Sequence, residues 1–172
     1  MPADILTQRN GADVAVFSPC ERYRYSLRRR IGEGDRAVVC VMLNPSRADA
    51  FHNDPTVARC CRYAERWGFG WMEVVNIFGL RSTDPRGLRD VEDPVGPVNQ
   101  KAILEAVRRA DLVVCGWGVH GAYRDRGRDV AALIRRHTVP HVLGLTRGGH
   151  PRHPLYMRKD LEPVRWEVPA CG

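Results

Sequence analysis

The hydrophobic positions of this chain fall mainly into short continuous runs. Residues 37–43, 72–78 and 112–115 are apolar runs of strand length, which is typical of strands that are buried on both faces of a sheet. Residues 141–145 form a fourth, shorter run. Residues 23–27 instead alternate between apolar and polar side chains, so a half-exposed strand is predicted there.

Helical patterns separate these runs. Asp54 followed by Pro55 is a helix start, because aspartate is a good N-cap and proline suits the first helical position. This helix is predicted to end at residue 66 or 67, before Gly68. We also predict helices over residues 98–109 and 125–137, and loops over residues 79–97 and 146–166, the second with at most one short strand.

The alternation of strands and helices predicts an α/β fold, with three α/β/α layers built around a mostly parallel sheet of four or five strands. The chain length suits one domain over residues 1–172, with residues 1–35 as an N-terminal strand or hairpin extension and residues 36–166 as the core. In such sheets, ligands bind outside the carboxyl ends of the strands. Those ends carry Asn44, Asn76, Trp117 and the loop that leads to His150.

Arginine dominates the charge of the chain. The formal net charge is +7, and the only lysines are Lys101 and Lys159. Arginine forks suit phosphate oxygens, so a nucleic-acid partner fits this composition. The same charges also fit an ordinary solvated surface.

Other compositional features limit the class of protein. No apolar run reaches the roughly 18 residues that a membrane helix needs, and residues 1–4 lack the pattern of a secretory signal. We therefore expect a cytoplasmic protein with no membrane partner, and we expect a monomer. The six cysteines include no C-x-x-C pair, so we expect neither a metal nor another cofactor.

Four short segments resemble, in chain order, the motifs of the uracil-DNA glycosylase superfamily. M-L-N-P-S at residues 42–46 is similar to the G-I-N-P-G loop of mismatch-specific thymine and uracil glycosylases. V-N-I at residues 75–77 is similar to a strand end that reads the uracil edge, and G-W-G-V-H-G at residues 116–121 is similar to L-W-G-x-x-A. H-P-R-H-P-L at residues 150–155 is similar to H-P-S-P-L with one extra residue, which leaves the register of the histidine open.

The whole chain also looks like a small prokaryotic family, domain of unknown function 1643. The strings that carry this resemblance are L-N-P-S-x-A-D at residues 43–49, N-D-P-T at residues 53–56 and G-H-P-R-H-P-L-Y at residues 149–156. This resemblance is specific, but it implies little biochemistry. The expected activity therefore comes from the superfamily.

The superfamily resemblance implies a DNA glycosylase, which hydrolyses the N-glycosidic bond of uracil or a related damaged base during base excision repair. Such a reaction needs a flipped base in a tight pocket, a hydrogen-bond donor for the departing base anion, and a water on the far face of the sugar. The resemblance assigns the water to Asn44 and the donor to His150 or His153. Because an amide orients water but does not take its proton, Asp49 or Asp54 is expected to supply a carboxylate.

The remaining assignments concern the base and the DNA strand. Asn76 is expected to pair with the base edge, since an amide offers both a donor and an acceptor. Phe51 or His52 is expected to stack on the base. Leu43 and Trp117 are also expected to contact the base. The expected DNA contacts are Ser46, Arg47, Arg81 and Arg152, with Leu155 and Tyr156 as a wedge that fills the stack left by the flipped base.

Two other functions and one other chemistry fit the same residues. The first alternative is a nucleic-acid-binding or nucleotide-binding protein of this fold with little or no catalysis, and the second is a hydrolase of free nucleosides or nucleotides. The competing chemistry is a metal site, although the chain lacks an H-E-x-x-H pattern. Its potential ligands are His52, His120, His150 and His153 with Asp49 or Asp54.

Overall fold

The computed structural model describes residues 4–167, which form one mixed sheet of eight strands and three α-helices. The strands are β1 (Leu6–Asn10), β2 (Asp13–Phe17), β3 (Arg24–Arg30), β4 (Ala37–Met42), β5 (Trp71–Asn76), β6 (Leu112–Cys115), β7 (His141–Val142) and β8 (Val164–Arg165). The helices are α1 (Pro55–Arg66), α2 (Asn99–Arg109) and α3 (Arg126–Arg135), and short 3₁₀ helices cover Pro85–Arg89, Val119–Asp125 and Pro154–Tyr156.

The sheet combines a parallel centre with antiparallel flanks. Its strand order is β1-β2-β3-β5-β4-β6-β7-β8. Strands β5, β4, β6 and β7 are parallel, whereas β1, β2 and β3 on one side and β8 on the other pair antiparallel. The α/β class is confirmed. The sheet is larger than predicted and mixed, because the N-terminal residues contribute three antiparallel strands and the C-terminal part adds β8.

Strand β4 separates two hydrophobic cores. Val39 and Val41 belong to the core that packs against α2 and α3, whereas Cys40 and Met42 belong to the core that packs against α1. Both faces of β4 are therefore covered, which explains why its sequence is a continuous apolar run. The helices lie on both faces of the sheet.

The less strongly patterned segments differ from the prediction. Strand β7 is only two residues long, and helix α3 begins at Arg126 rather than one residue earlier. The predicted loop over residues 79–97 contains the 3₁₀ helix Pro85–Arg89. Within residues 4–167, no helix is long and apolar enough to span a membrane.

Trp117 follows β6 and is held by two glycines. The indole is 2% exposed and packs edge-on against Trp166, with ring centroids 5.7 Å apart. A Cβ atom on Gly121 would collide with Trp117 Cδ1, and a Cβ atom on Gly127 would lie 2.6 Å from Trp117 Nε1. Both positions therefore require glycine for the indole to lie where it does.

Gly121→Ala is expected to destabilise the fold by about 1–3 kcal/mol, because the added methyl group overpacks Trp117. Gly32→Ala is a suitable control, since its Cβ would meet only the Phe69 carbonyl oxygen, at 3.7 Å. Urea unfolding monitored by tryptophan fluorescence measures both variants. Equal free energies of unfolding would show that the indole moves aside without cost.

Candidate functional site

A cleft of about 490 Å³ lies beyond the carboxyl ends of strands β4 and β6. This volume is within the usual range for small-molecule sites. The cleft receives residues from the loop after β4, the start of α1, the loop after β5, the segment after β6 and the C-terminal loop. Its lining residues are Leu43, Asn44, Ser46, Asp54, Pro55, Thr56, Ser82, Thr83, Pro85, Trp117, Gly118, Val119, His120, Thr146, Arg152, His153, Leu155, Tyr156 and Met157.

The cleft contains part of the set of residues predicted from the sequence. The predicted residues that line it are Leu43, Asn44, Ser46, Trp117, Arg152, His153, Leu155 and Tyr156. The predicted residues outside its lining are Asp49, His150, Phe51, Asn76, Arg47 and Arg81. The C-terminal loop therefore presents His153, rather than His150, to the cleft.

The Asn44 side chain is oriented by backbone carbonyl groups. Its Nδ2 donates to the Ser82 carbonyl oxygen at 2.8 Å and to the Pro45 carbonyl oxygen at 3.1 Å. These two bonds define which end of the amide is nitrogen. Oδ1 receives no hydrogen bond from residues 4–167 and remains an acceptor for a ligand or a water.

His153 is held in one neutral tautomer. Its Nδ1 accepts the Leu155 backbone N–H at 3.2 Å, so the proton of the neutral ring lies on Nε2. Burial lowers the pKa of His153 below its usual value of 6.5, although the Asp54 carboxylate raises it in part. The ring is therefore neutral at pH 7, with Nε2–H as a hydrogen-bond donor.

Asp54 joins the cleft to helix α1. Its Oδ1 caps the helix by accepting the Val57 N–H at 2.9 Å. Its Oδ2 receives no hydrogen bond within the described part of the chain. The carboxylate is close enough to act on His153, and it also acts on Arg24, which is 1% exposed. The cleft thus contains one acidic group that acts on both a buried cation and an imidazole.

Close packing and side chains of α1 fix the C-terminal loop in place. A Cβ atom on Gly116 would lie 2.8 Å from Pro154 Cδ, so only glycine lets this loop approach the end of β6. Arg59 Nη1 donates to the Met157 carbonyl oxygen at 2.8 Å, and Tyr63 donates its hydroxyl proton to the Arg158 carbonyl oxygen. His153 is consequently positioned by both the sheet and α1.

The rim of the cleft is apolar and basic. Tyr156 is 83% exposed and its ring lies 5.6 Å from that of His153. Val119, on the opposite wall, is 55% exposed. The exposed Arg152 donates through Nε to the Leu145 carbonyl oxygen at 3.1 Å, and its two terminal nitrogens make no hydrogen bond to residues 4–167.

Asp49 and His150 have structural contacts outside the cleft. Asp49 Oδ1 accepts the N–H groups of Phe51 and His52 at 2.9 and 2.8 Å, and it contacts His52 Nδ1 at 3.1 Å. Burial raises the pKa of Asp49, but these hydrogen bonds outweigh that effect and the pKa is lowered. The His150 N–H donates to Thr146 Oγ1 at 3.1 Å within its own turn.

Asn76 and Phe51 do not meet in the cleft. Asn76 lies opposite Met42 on neighbouring parallel strands and is 1% exposed, with an Nδ2 that has no partner among residues 4–167. Alternation along β5 places its side chain on the same face as Val74, which belongs to the core that packs against α1. Phe51 is 56% exposed and lines a different pocket, together with Ala50 and Asn53.

The two predicted phosphate-binding arginines also lie outside the cleft lining. Arg81 Nε donates to the Ser46 carbonyl oxygen at 3.3 Å, and its Nη1 donates to the Glu21 carbonyl oxygen at 3.2 Å. Its guanidinium also stacks over Phe17. Arg81 therefore braces two loops, whereas Arg47 is exposed at the surface.

Several lining residues were absent from the predicted site. Ser82 and Thr83 precede the Asp84-Pro85 turn, and that turn is the signal in the sequence that could have indicated them. His120, considered only as a metal ligand, lies on the wall that follows β6. Within residues 4–167, no three histidine, cysteine, aspartate or glutamate side chains converge as they would around a metal ion.

Comparison with known families assigns the chain to one of them. The family described as "Protein of unknown function (DUF1643)" matches residues 24–155. The chain belongs to the DUF1643 family. No curated protein and no solved structure matches it. The matched region of this DUF1643 protein runs from β3 to the C-terminal loop, so it includes every segment that lines the cleft except Tyr156 and Met157.

The lowered pKa of His153 can be tested directly. We expect the pKa of His153 to lie below 6.5 and to fall further in Asp54→Asn, which removes the carboxylate charge but keeps an N-cap. NMR titration of the imidazole carbon Cε1 measures both values. An unchanged pKa in the variant would show that the carboxylate does not act on the ring.

The lowered pKa of His153 also makes the free energy of unfolding depend on pH. The unfolded chain takes up a proton at the usual pKa of 6.5, whereas folded His153 takes it up only at a lower pH. The folded state therefore gains stability from neutral His153 above pH 6.5 and loses it as the pH falls below that value.

Proposed function

We propose that this protein is a DNA glycosylase-like enzyme that hydrolyses the N-glycosidic bond of uracil or a related damaged base in DNA, on a uracil-DNA glycosylase-like fold. One observation carries the proposal. The cleft presents an N–H donor on neutral His153 and a free amide oxygen on Asn44, each oriented by hydrogen bonds to the backbone.

His153 would stabilise the departing base. When the bond between base and sugar breaks, negative charge develops on the base, and a preoriented donor lowers the energy of that state. His153 Nε2–H is suited to this role because the ring stays neutral and donates without releasing its proton. Burial, which lowers the pKa of the ring, supports this protonation state.

Asn44 and Asp54 would act on the water. The free Oδ1 of Asn44 would accept a hydrogen bond from a water and thereby orient it toward the sugar. The amide does not take the proton of that water, but the Asp54 carboxylate lines the same cleft and has one oxygen that does not cap α1. Asp54 therefore replaces Asp49 in the proposal as the general base.

The rim would hold the DNA strand. Tyr156 is exposed beside His153 and Leu155 lines the same wall, so either side chain could occupy the stack left by a flipped base. Arg152 offers its terminal nitrogens to phosphate oxygens. DNA is thus the proposed partner.

Release of uracil from DNA tests the proposed function. Purified protein is incubated with labelled single-stranded and double-stranded oligonucleotides that contain one uracil, and abasic sites are then cleaved with alkali. We expect uracil-dependent strand breaks that EDTA does not reduce. Binding without strand breaks would favour the non-catalytic alternative, and release of base from monomers alone would favour a nucleoside hydrolase.

Substitutions in the cleft test the assigned roles. His153→Ala should lower the rate of base release by about a hundredfold, as the loss of comparable oxyanion donors does, whereas His150→Ala should have little effect. Asn44→Ala should abolish product while DNA affinity changes little. Single-turnover rates and binding curves measure these effects. Equal small losses in both histidine variants would show that the C-terminal loop is structural only.

Asp54→Asn separates the charge of this residue from its helix cap. Asparagine caps helices as well as aspartate does, so the cap is kept, whereas buried Arg24 loses a neighbouring negative charge and the fold is expected to lose some stability. Urea unfolding identifies the concentration of folded variant to use in the rate measurement. We expect the rate of base release to fall by about a hundredfold if the carboxylate is the general base. If Asp54→Asn releases base at the parent rate while Asn44→Ala releases none, Asp54 is not the general base.

A further inference from the structure

We propose that a second pocket, whose lining adjoins that of the cleft at residues 53 and 54, binds the phosphate and base of a nucleotide that neighbours the one in the cleft. This inference rests on the proposed function, because it assumes that the cleft holds one nucleotide of a strand. We call it the Arg29 pocket. Its volume is about 360 Å³, and its lining includes Arg29, Arg62, Phe51 and Asn53.

The pocket is built around a buried guanidinium with an unused donor. Arg29 is 6% exposed, and its Nη1 has no hydrogen-bond partner among residues 4–167. Its other nitrogens donate to the carbonyl oxygens of Asp49 and His52 and to Asn53 Oδ1, at 2.6, 3.1 and 3.0 Å. Buried cations are normally fully hydrogen-bonded, so the unpaired Nη1, which is itself buried, leaves positive charge beside the pocket uncompensated.

The charges that line the Arg29 pocket favour an anion. Arg29, Arg30 and Arg62 contribute three positive charges, against the carboxylates of Asp13 and Glu65. Asp13 is already engaged, because its Oδ1 accepts the Arg30 N–H at 3.0 Å and its Oδ2 lies 3.8 Å from Arg29 Nε. A phosphate suits the remaining positive charge.

Phe51 adds a surface for a base. Its side chain is the large apolar group that lines this pocket with substantial exposure, at 56%. Exposed aromatic rings beside basic side chains are the usual means of binding single-stranded nucleic acid, because every base can stack on them. The amide of Asn53 lies in the same lining. A nucleotide therefore fits these residues better than a simple anion does.

The linings of the two sites adjoin along the chain. Asn53 lines the Arg29 pocket, and Asp54, the next residue, lines the cleft. Consecutive Cα atoms are about 3.8 Å apart, so a strand that leaves the cleft over residues 51–53 enters the Arg29 pocket directly. Arg29 itself holds the loop that precedes Asn53 through its bonds to the carbonyl oxygens of Asp49 and His52.

Binding measurements with ligands of different length test this inference. We compare uridine monophosphate with a uracil-containing single strand of a dozen nucleotides, by calorimetry and fluorescence anisotropy. Phe51→Ala should weaken binding of the strand about tenfold. Arg62→Ala should lower the slope of log affinity against log salt by about 0.7, the value for one single-strand phosphate contact. Neither change should alter binding of the monophosphate.

Arg128→Ala is the matched control. Arg128 is exposed on α3, which packs on the opposite face of the sheet, so its removal changes the net charge by the same amount. The inference is overturned if Phe51→Ala and Arg62→Ala match this control, or if they weaken the monophosphate equally. It is also overturned if inorganic phosphate at low millimolar concentration removes all difference between the variants and the parent protein, since that would indicate a free-anion site.

The same proteins separate this inference from the proposed function. Suppose that the parent protein releases no uracil, but Phe51→Ala and Arg62→Ala change strand binding as expected. The Arg29 pocket is then supported and the glycosylase activity is not. If the parent protein releases uracil, but Phe51→Ala and Arg62→Ala bind the strand as Arg128→Ala does, the glycosylase activity is supported and the Arg29 pocket is not. If the parent protein binds no strand, the Arg29 pocket is excluded.

Discussion

The position of helix α1 determines the geometry of the cleft. Asp54 caps the helix at the carboxyl edge of the sheet, so its first turn forms one wall. Further along the helix, Arg59, Tyr63 and Trp67 donate hydrogen bonds to backbone carbonyl groups of the C-terminal loop. That loop is nearly without regular structure, and these contacts place it opposite the loop that follows β4. If α1 shifted, His153 and Asn44 would no longer face one cleft.

The two central groups of the site are oriented by the backbone and not by other charged side chains. The Leu155 N–H selects the tautomer of His153, and the carbonyl groups of Pro45 and Ser82 select the orientation of the Asn44 amide. Such groups need little rearrangement when charge develops on a substrate, which is the condition for electrostatic catalysis. The side chains that we propose contact the DNA strand, such as Tyr156 and Arg152, are exposed.

The central strands and the start of α1 could be predicted from the sequence, because continuous apolar runs and the Asp54-Pro55 pair each have one structural interpretation. A strand over residues 23–27 was also predicted, and β3 lies there, but it was expected to be half-exposed. That expectation is wrong because β3 buries Arg24 and Arg29, which a pattern of hydrophobicity counts as surface residues. The site was predicted in part. Asn76 ends a strand as expected. Its side chain is buried beside Met42 on the neighbouring strand, however, and the motif alone does not indicate which face of the sheet it occupies. The position of Phe51 depends on how a loop turns, and no periodicity encodes that.

The central claim is that the cleft binds a base through the Nε2–H group of His153. The most direct measurement is a titration of protein labelled with ¹⁵N-histidine by free uracil, the expected product, monitored by imidazole NMR. The account predicts that the Nε2 resonance of His153 shifts with uracil, that the ring stays neutral, and that His150 does not respond. A His153 resonance that is unchanged at saturating uracil, or a response at His150 alone, would contradict it.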